Sequence, residues 1–192
     1  MNILIEEEKF LPHCRVQVSL TLSKGTLNMI KGVNGIGKST FAAVVKERYP
    51  METTLIEQQP LVHFYSRTLL ELKKIFIKAR PRHLDLILFE RIWRALNLHE
   101  IENHSLHQLS GGENQSLKLA LGLSIKNKLI IIDEPSQYLD MNRKRNLTAI
   151  LKELMNDSFI LLIEHESSWL SELPQKTSEF FIEEGTLKAR YV

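Results

Sequence analysis

Residues 32–40, GVNGIGKST, restrict the possible folds of this chain more than any other stretch. They fit G-x-x-x-x-G-K-[ST] and follow a branched-apolar run, TLNMIK at 26–31. After them STFAAVVKERY reads as a helix that Pro50 stops. A strand, a glycine-rich turn and a helix in that order imply a sheet with the helix packed back on it. Gly32, Gly35 and Gly37 allow the turn to curve closely. Backbone N–H groups of Asn34, Gly35, Ile36, Gly37, Lys38, Ser39 and Thr40 can then wrap a polyphosphate. The unpaired amides of the helix start add positive potential. Lys38 is expected to reach the β- and γ-phosphates, and the Ser39 hydroxyl to coordinate Mg²⁺. The stretch reads as a nucleoside triphosphate site.

The rest of the chain supplies such a sheet. Strands are expected at 1–5, 15–22, 26–31 and 53–57, with a tight turn at Lys24-Gly25. From about 66 to 106 the spacing turns helical. Leu69, Leu72, Ile75 and Phe76 mark one stripe, and Leu84, Ile87, Leu88 and Ile92 another, with Pro81 between. Beyond it, helix 113–125, strand 129–132, helix 141–154 and strand 159–163 alternate, and a short helix follows near 167–172. Segments 178–183 and 186–191 read as a closing hairpin turned at Glu184-Gly185. Short apolar strands alternating with helices imply an α/β fold whose mainly parallel sheet is covered on both faces. One domain over 1–192 is expected, with a helical subdomain inserted at about 64–108.

Composition narrows the setting. With 43% hydrophobic and 25% charged residues the chain reads as globular, and a net charge of +2 implies no polyanionic partner by itself. Cys14 has no second cysteine to pair with, which fits a reducing compartment. No leader is expected, because MNILIEEEKF turns acidic after five residues. The apolar runs LIII (129–132) and FILLI (159–163) are strand-sized, so any membrane role is expected to come through a partner.

Two further stretches carry chemistry. In LIIIDEP, 129–135, a buried strand delivers Asp133 and Glu134 to the sheet edge where such folds bind ligands. Neighbouring strand residues point oppositely, so Asp133 is expected at the Mg²⁺ shell and Glu134 beside the attacking water. In LSGGENQ, 109–115, Ser110, Gly111 and Gly112 precede a helix and form a second anion-binding start, or simply an N-cap. Two separated phosphate-binding surfaces suit a two-fold dimer holding two nucleotides.

The order GVNGIGKST, LSGGENQ, LIIIDEP, SQYLD, IEH resembles the nucleotide-binding domain of the ABC ATPases over nearly the whole chain. The 13 residues between LSGGENQ and LIIIDEP are also family-like. The resemblance implies a P-loop NTPase core with N-terminal antiparallel strands and a short helical insert. It implies ATP and Mg²⁺ as cofactors, and a head-to-tail pair with a second copy or a homologous ATPase subunit. Ser110, Gly111 and Gly112 would then serve the partner's nucleotide. Gln59, or its neighbour Gln58, resembles the glutamine that touches Mg²⁺ and the attacking water. Asp140, ending SQYLD, resembles the residue at the dimer seam and also suits an N-cap of helix 141–154. His165 matches the histidine at the γ-phosphate, and Phe10 the aromatic that stacks on adenine. Together, Glu134, His165, Gln59 and Lys38 form the implied catalytic set. LSGGENQ resembles the family's signature; Ser116 departs from the Arg or Lys usual after it, with Lys118 two further on.

The function this implies is ATP hydrolysis driving transport through a separate integral membrane subunit. The protein would lie in the cytoplasm, peripherally on the inner face of the membrane, with no nucleic acid expected. Its small build is similar to haem-exporter-type subunits. The alternative is an ATP-gated clamp or switch acting on nucleic acid, ribosome or another soluble partner. Residues 67–82, with six Lys/Arg against one acidic residue, are the feature that supports it. Lys73, Lys74, Lys78 and Arg80 are expected to face outward there.

Overall fold

The computed structural model describes residues 2–11, 14–57, 68–184 and 186–192. Among them the chain forms β1 (Asn2–Leu11), β2 (Cys14–Ser23), β3 (Leu27–Lys31), α1 (Lys38–Arg48) and β4 (Thr53–Ile56). It continues through α2 (Leu69–Ala79), α3 (Leu86–Ala95), α4 (Gly111–Leu123), β5 (Leu129–Asp133) and α5 (Met141–Leu154). β6 (Phe159–Ile163), β7 (Gln175–Glu183) and β8 (Thr186–Tyr191) complete it.

The strands lie in one sheet, in the order β1-β2-β8-β7-β3-β6-β5-β4. From β7 to β4 every pairing is parallel. β8 runs antiparallel to β7, and the β1–β2 hairpin joins the sheet through β2. The expected α/β architecture, mainly parallel with antiparallel N-terminal strands, is therefore present. Alternation along β5 and β6 divides the interior into two cores. Ile130, Ile132, Ile160 and Leu162 enter a core shared with α2 to α5. Ile131, Leu161 and Ile163 enter one shared with Phe41 and Val45 of α1 and with Ile5, Val18 and Leu20 of the hairpin.

Boundaries differ where backbone pairing outruns side-chain pattern. β7 starts at Gln175, not 178, because its parallel register with β3 begins at Leu27 opposite Gln175. The helix expected near 167–172 is a single 3₁₀ turn, Ser168–Leu170. Helix α4 starts at Gly111 rather than 113. Two glycines argue against a helix start on propensity, but the Ser110–Glu113 capping box holds it.

In the helical segment between β4 and α4, Leu69, Leu72, Leu88 and Ile92 are buried as their spacing predicts. Ile75 and Ile87 are not: they are 53% and 85% exposed. Nor does Lys73 face outward. Its Nζ lies 2.9 Å from Glu90 Oε2 and 3.0 Å from Glu102 Oε1, and 5.1 Å from the centre of the Trp93 ring. Trp93 Nε1 donates to the same Glu102 oxygen at 2.9 Å. Lys74, Lys78 and Arg80 are exposed as expected.

Candidate active site

Three chain segments converge at the C-terminal edge of the parallel strands: those leaving β3, β5 and β6. Leaving β3, the turn bends into α1 at Gly37, which has φ 110 and acts as N-cap without a side chain. A Cβ there would be strained and would meet Leu187 Cδ2 at 3.1 Å. Asn34, Gly35 and Ser39 are exposed, Ile36 and Thr40 half-buried. Lys38 is buried, and its Nζ donates to the carbonyls of Gly32 at 2.8 Å and Val33 at 3.1 Å. Burial pushes the Lys38 ammonium below the usual lysine value, and the Glu134 and Asp133 carboxylates partly offset this. One cation and two carboxylates thus share the edge.

Asp133 ends β5, buried, opposite Ile163 of β6. The next residue, Glu134, has φ 49, a left-handed conformation that costs on the order of 1–3 kcal/mol unless its surroundings hold it. Its N–H donates to the Ile163 carbonyl at 2.8 Å. Its Oε1 lies 3.5 Å from Nε2 of His165, which follows β6. Glu134 lies outside β5, so its place relative to Asp133 is set by this left-handed bend and not by the strand alternation expected from the sequence. Glu164, buried between β6 and His165, accepts from the Ser136 N–H at 3.3 Å and the His165 N–H at 3.0 Å.

The second glycine stretch is built differently from the first. Ser110 caps α4, and its N–H and Oγ each approach Glu113 Oε2 at 2.7 Å, while the Glu113 N–H donates to Ser110 Oγ at 3.3 Å. These hydrogen bonds hold the Glu113 carboxyl below its ordinary value. The N-cap reading of Ser110 is therefore correct in geometry. The loop after β5 requires glycine at 112, where a Cβ would lie 2.6 Å from the Tyr138 carbonyl oxygen; a Cβ on Gly111 would meet only the exposed Tyr138 side chain, 3.1 Å from Cγ. Gly112→Ala should destabilise the protein by about 1–3 kcal/mol through overpacking. The measurement is a urea unfolding midpoint, and an unaltered midpoint would show that the loop yields. Asp140 is the N-cap of α5, accepting from the Arg143 N–H at 2.8 Å.

Gln58 and Gln59 lie outside the described residues, as does the side chain of Phe10, whose backbone pairs with Arg15 in the hairpin. Three residues near the edge had no role assigned from the sequence: Gln115, Lys118 and Glu164. Gln115 Nε2 donates to the carbonyls of Glu134 and Pro135, each at 3.3 Å. Lys118 Nζ donates to the Glu57 carbonyl at 3.2 Å, and burial lowers its pKa, offset in part by Asp133. A signal existed for two of them. Gln115 and Lys118, both buried, lie three residues apart in a helix whose other buried positions are mostly apolar.

Residues 16–137 match the family model described as ABC transporter. The zinc import ATP-binding protein ZnuC of Photobacterium profundum is 30% identical over 165 residues, covering 80% of this chain and 63% of that protein. A solved ATP-binding subunit of an ABC transporter superposes with a TM-score of 0.77 at 20% identity, over all of this chain and 90% of its own. The archaeal ribosome recycling factor aABCE1, solved with the ribosomal stalk protein aP1, superposes at 0.74 with 23% identity, over 97% of this chain and 38% of its own. The chain spans no more than about two thirds of the length of the curated relatives it matches first. These likenesses do not single out the haem-exporter type. With more than half its length matched by that model, the chain belongs to the ABC transporter family.

Proposed function

We propose that this chain binds Mg-ATP at the edge formed by β3, β5 and β6, hydrolyses it within a head-to-tail pair, and powers transport through a separate membrane subunit. The observation that carries this is the meeting of Lys38, Asp133, Glu134 and His165 on three different strand ends. The residues suit the ligand. Exposed residues 33–35 lead into a helix start, and Lys38 stands where its ammonium can exchange loop carbonyls for phosphate oxygens. Ser39, in the first turn of α1, and Asp133 are the proposed Mg²⁺ ligands, with Gln59 the third. Mg²⁺ supplies neutralisation of phosphate charge. Glu134 is the proposed base, and His165 beside it contacts the γ-phosphate. Asn34, Gly35, Ile36, Gly37 and Thr40 line the phosphate loop, Phe10 stacks on adenine, and Ser110, Gly111, Gly112 and Asp140 face the partner's nucleotide.

The chain forms one ATP-binding unit, with residues of about 64–108 as a helical subdomain. No helix among the described residues is long and apolar enough to cross a membrane, and the proposed membrane component is a second protein. The ATPase lies on its cytoplasmic side. The exposed side of the helical subdomain is the proposed contact. It carries the exposed Ile75 on α2, next in sequence to the exposed cation Lys74 and one turn before Lys78, and the exposed Ile87 on α3. Exposed apolar side chains among charges fit a protein partner.

A second reading takes the same ATP-driven closure as a clamp on a ribosome or nucleic acid. The likeness to the ribosome recycling factor favours it, as do the exposed Lys74, Lys78, Arg80 and Arg82. Reversing Lys74 and Lys78 to Glu separates the two. Under the transport reading, co-purification with a membrane subunit in mild detergent weakens about tenfold, ATP binding persists, and RNA binding is absent from both proteins. Salt-sensitive RNA binding lost in the variant, with no membrane partner for either protein, overturns transport in favour of the clamp.

A further inference from the structure

Glu134 adopts its left-handed backbone at φ 49 under restraint from both sides. On the sheet side its N–H is held by the Ile163 carbonyl at 2.8 Å. On the other side stands α4, from which Gln115 Nε2 donates to the Glu134 and Pro135 carbonyls. Gln115 is only 3% exposed, so water cannot readily substitute for its amide. A carboxylate or an apolar side chain in its place would leave both carbonyls without this donor.

The helix that carries Gln115 is also the helix that starts the second glycine stretch. One turn earlier, Gly112 lies close enough to the Tyr138 carbonyl that a Cβ would sit 2.6 Å from it. The loop 134–140 is therefore held against α4 at two points, by an amide at Glu134–Pro135 and by close packing at Tyr138.

We infer that Gln115 is a positioning residue for hydrolysis: it clamps the peptide groups of Glu134 and Pro135 to the signature helix, so the pose of the Glu134 carboxylate follows the seating of that helix. This rests on the proposed role of Glu134 as the base. It has a consequence within the proposed pair. The N-terminus of α4 faces the nucleotide of one composite site, while Glu134 serves the other. The clamp lies within one chain and links the two.

The test uses the full-length chain with ATP. Gln115→Met keeps length and volume and removes the donor. It should lower kcat by about fivefold to tenfold, the size of one lost buried hydrogen bond, and leave the KM for ATP within about twofold. Gln115→Asn keeps the amide but falls short of the carbonyls, should give the same loss, and serves if the methionine variant is unstable. A purely structural role would lower the thermal midpoint and act alike whatever occupies position 134. The clamp predicts coupling: in a Glu134→Gln background, Gln115→Met should lower the residual rate by less than about twofold. Equal losses in the two backgrounds, or an unaltered kcat with Glu134 present, overturn the inference alone. Undiminished turnover by Glu134→Gln would overturn both the base assignment and the clamp.

Discussion

Glu134→Gln should lower steady-state ATP turnover by about 10²-fold or more while leaving ATP binding intact. The substitution keeps the side chain's size and its capacity for hydrogen bonding, and removes the charge that draws a proton from water. The phosphate loop keeps all its residues, and Lys38 keeps the Asp133 carboxylate as an offset to its burial, so nucleotide still enters. Because hydrolysis is what would separate the proposed pair, an ATP-bound dimer should accumulate, visible by size-exclusion chromatography with light scattering. The left-handed backbone tolerates Gln as it tolerates Glu, so the thermal midpoint should hold. Turnover equal to that of the unaltered protein would remove Glu134 from the role.

A comparable loss is expected from either of two variants, with activity returning when they are mixed. Lys38→Ala removes the cation of the phosphate loop, and Ser110→Arg puts a bulky side chain at the exposed start of α4. Each alone should retain about one hundredth of the activity or less. Gly112 is a poor site for this test, because any side chain there collides with its own chain at Tyr138. If the two surfaces serve one nucleotide from opposite chains, a mixed dimer has one site free of both lesions. Equal mixing with free exchange should then restore about a quarter of the activity, since about half the dimers are mixed and each has one good site. A mixture no more active than its components, with exchange shown by differently tagged chains, would count against the shared site.

The fold was legible wherever period and punctuation agreed. LIII, FILLI and TLNMIK are strands because branched apolar runs fit a sheet buried on both faces, and Pro50 follows the end of α1. The phosphate loop was legible because its glycines answer to backbone conformation, which a single position reveals. Less visible was anything set by pairing across the fold. The extent of β7 follows from β3, and the start of α4 from a cap that overrides two glycines. Lys73 shows the limit of a local reading: in a basic stretch it resembles its neighbour Lys74, yet Glu90 and Glu102, distant in sequence, draw it inward. For Gln115 the helical spacing gave a signal but not its partners, which are backbone carbonyls that any sequence would supply.

The Lys73 cluster bears on how force would travel. Leu69, Leu72, Phe89, Ile92 and Trp93 occupy the same core as Ile130 and Ile132 of β5, so α2 and α3 have no interior of their own. Lys73, Glu90, Glu102 and Trp93 fasten α2, α3 and the turn beyond them at the margin of that core. Dense interiors deform little and transmit strain. These helices therefore make a handle rather than a hinge: a pull on their outer side loads α4 and α5, against which α3 packs, and through the shared core β5, which ends at Asp133, one residue short of Glu134.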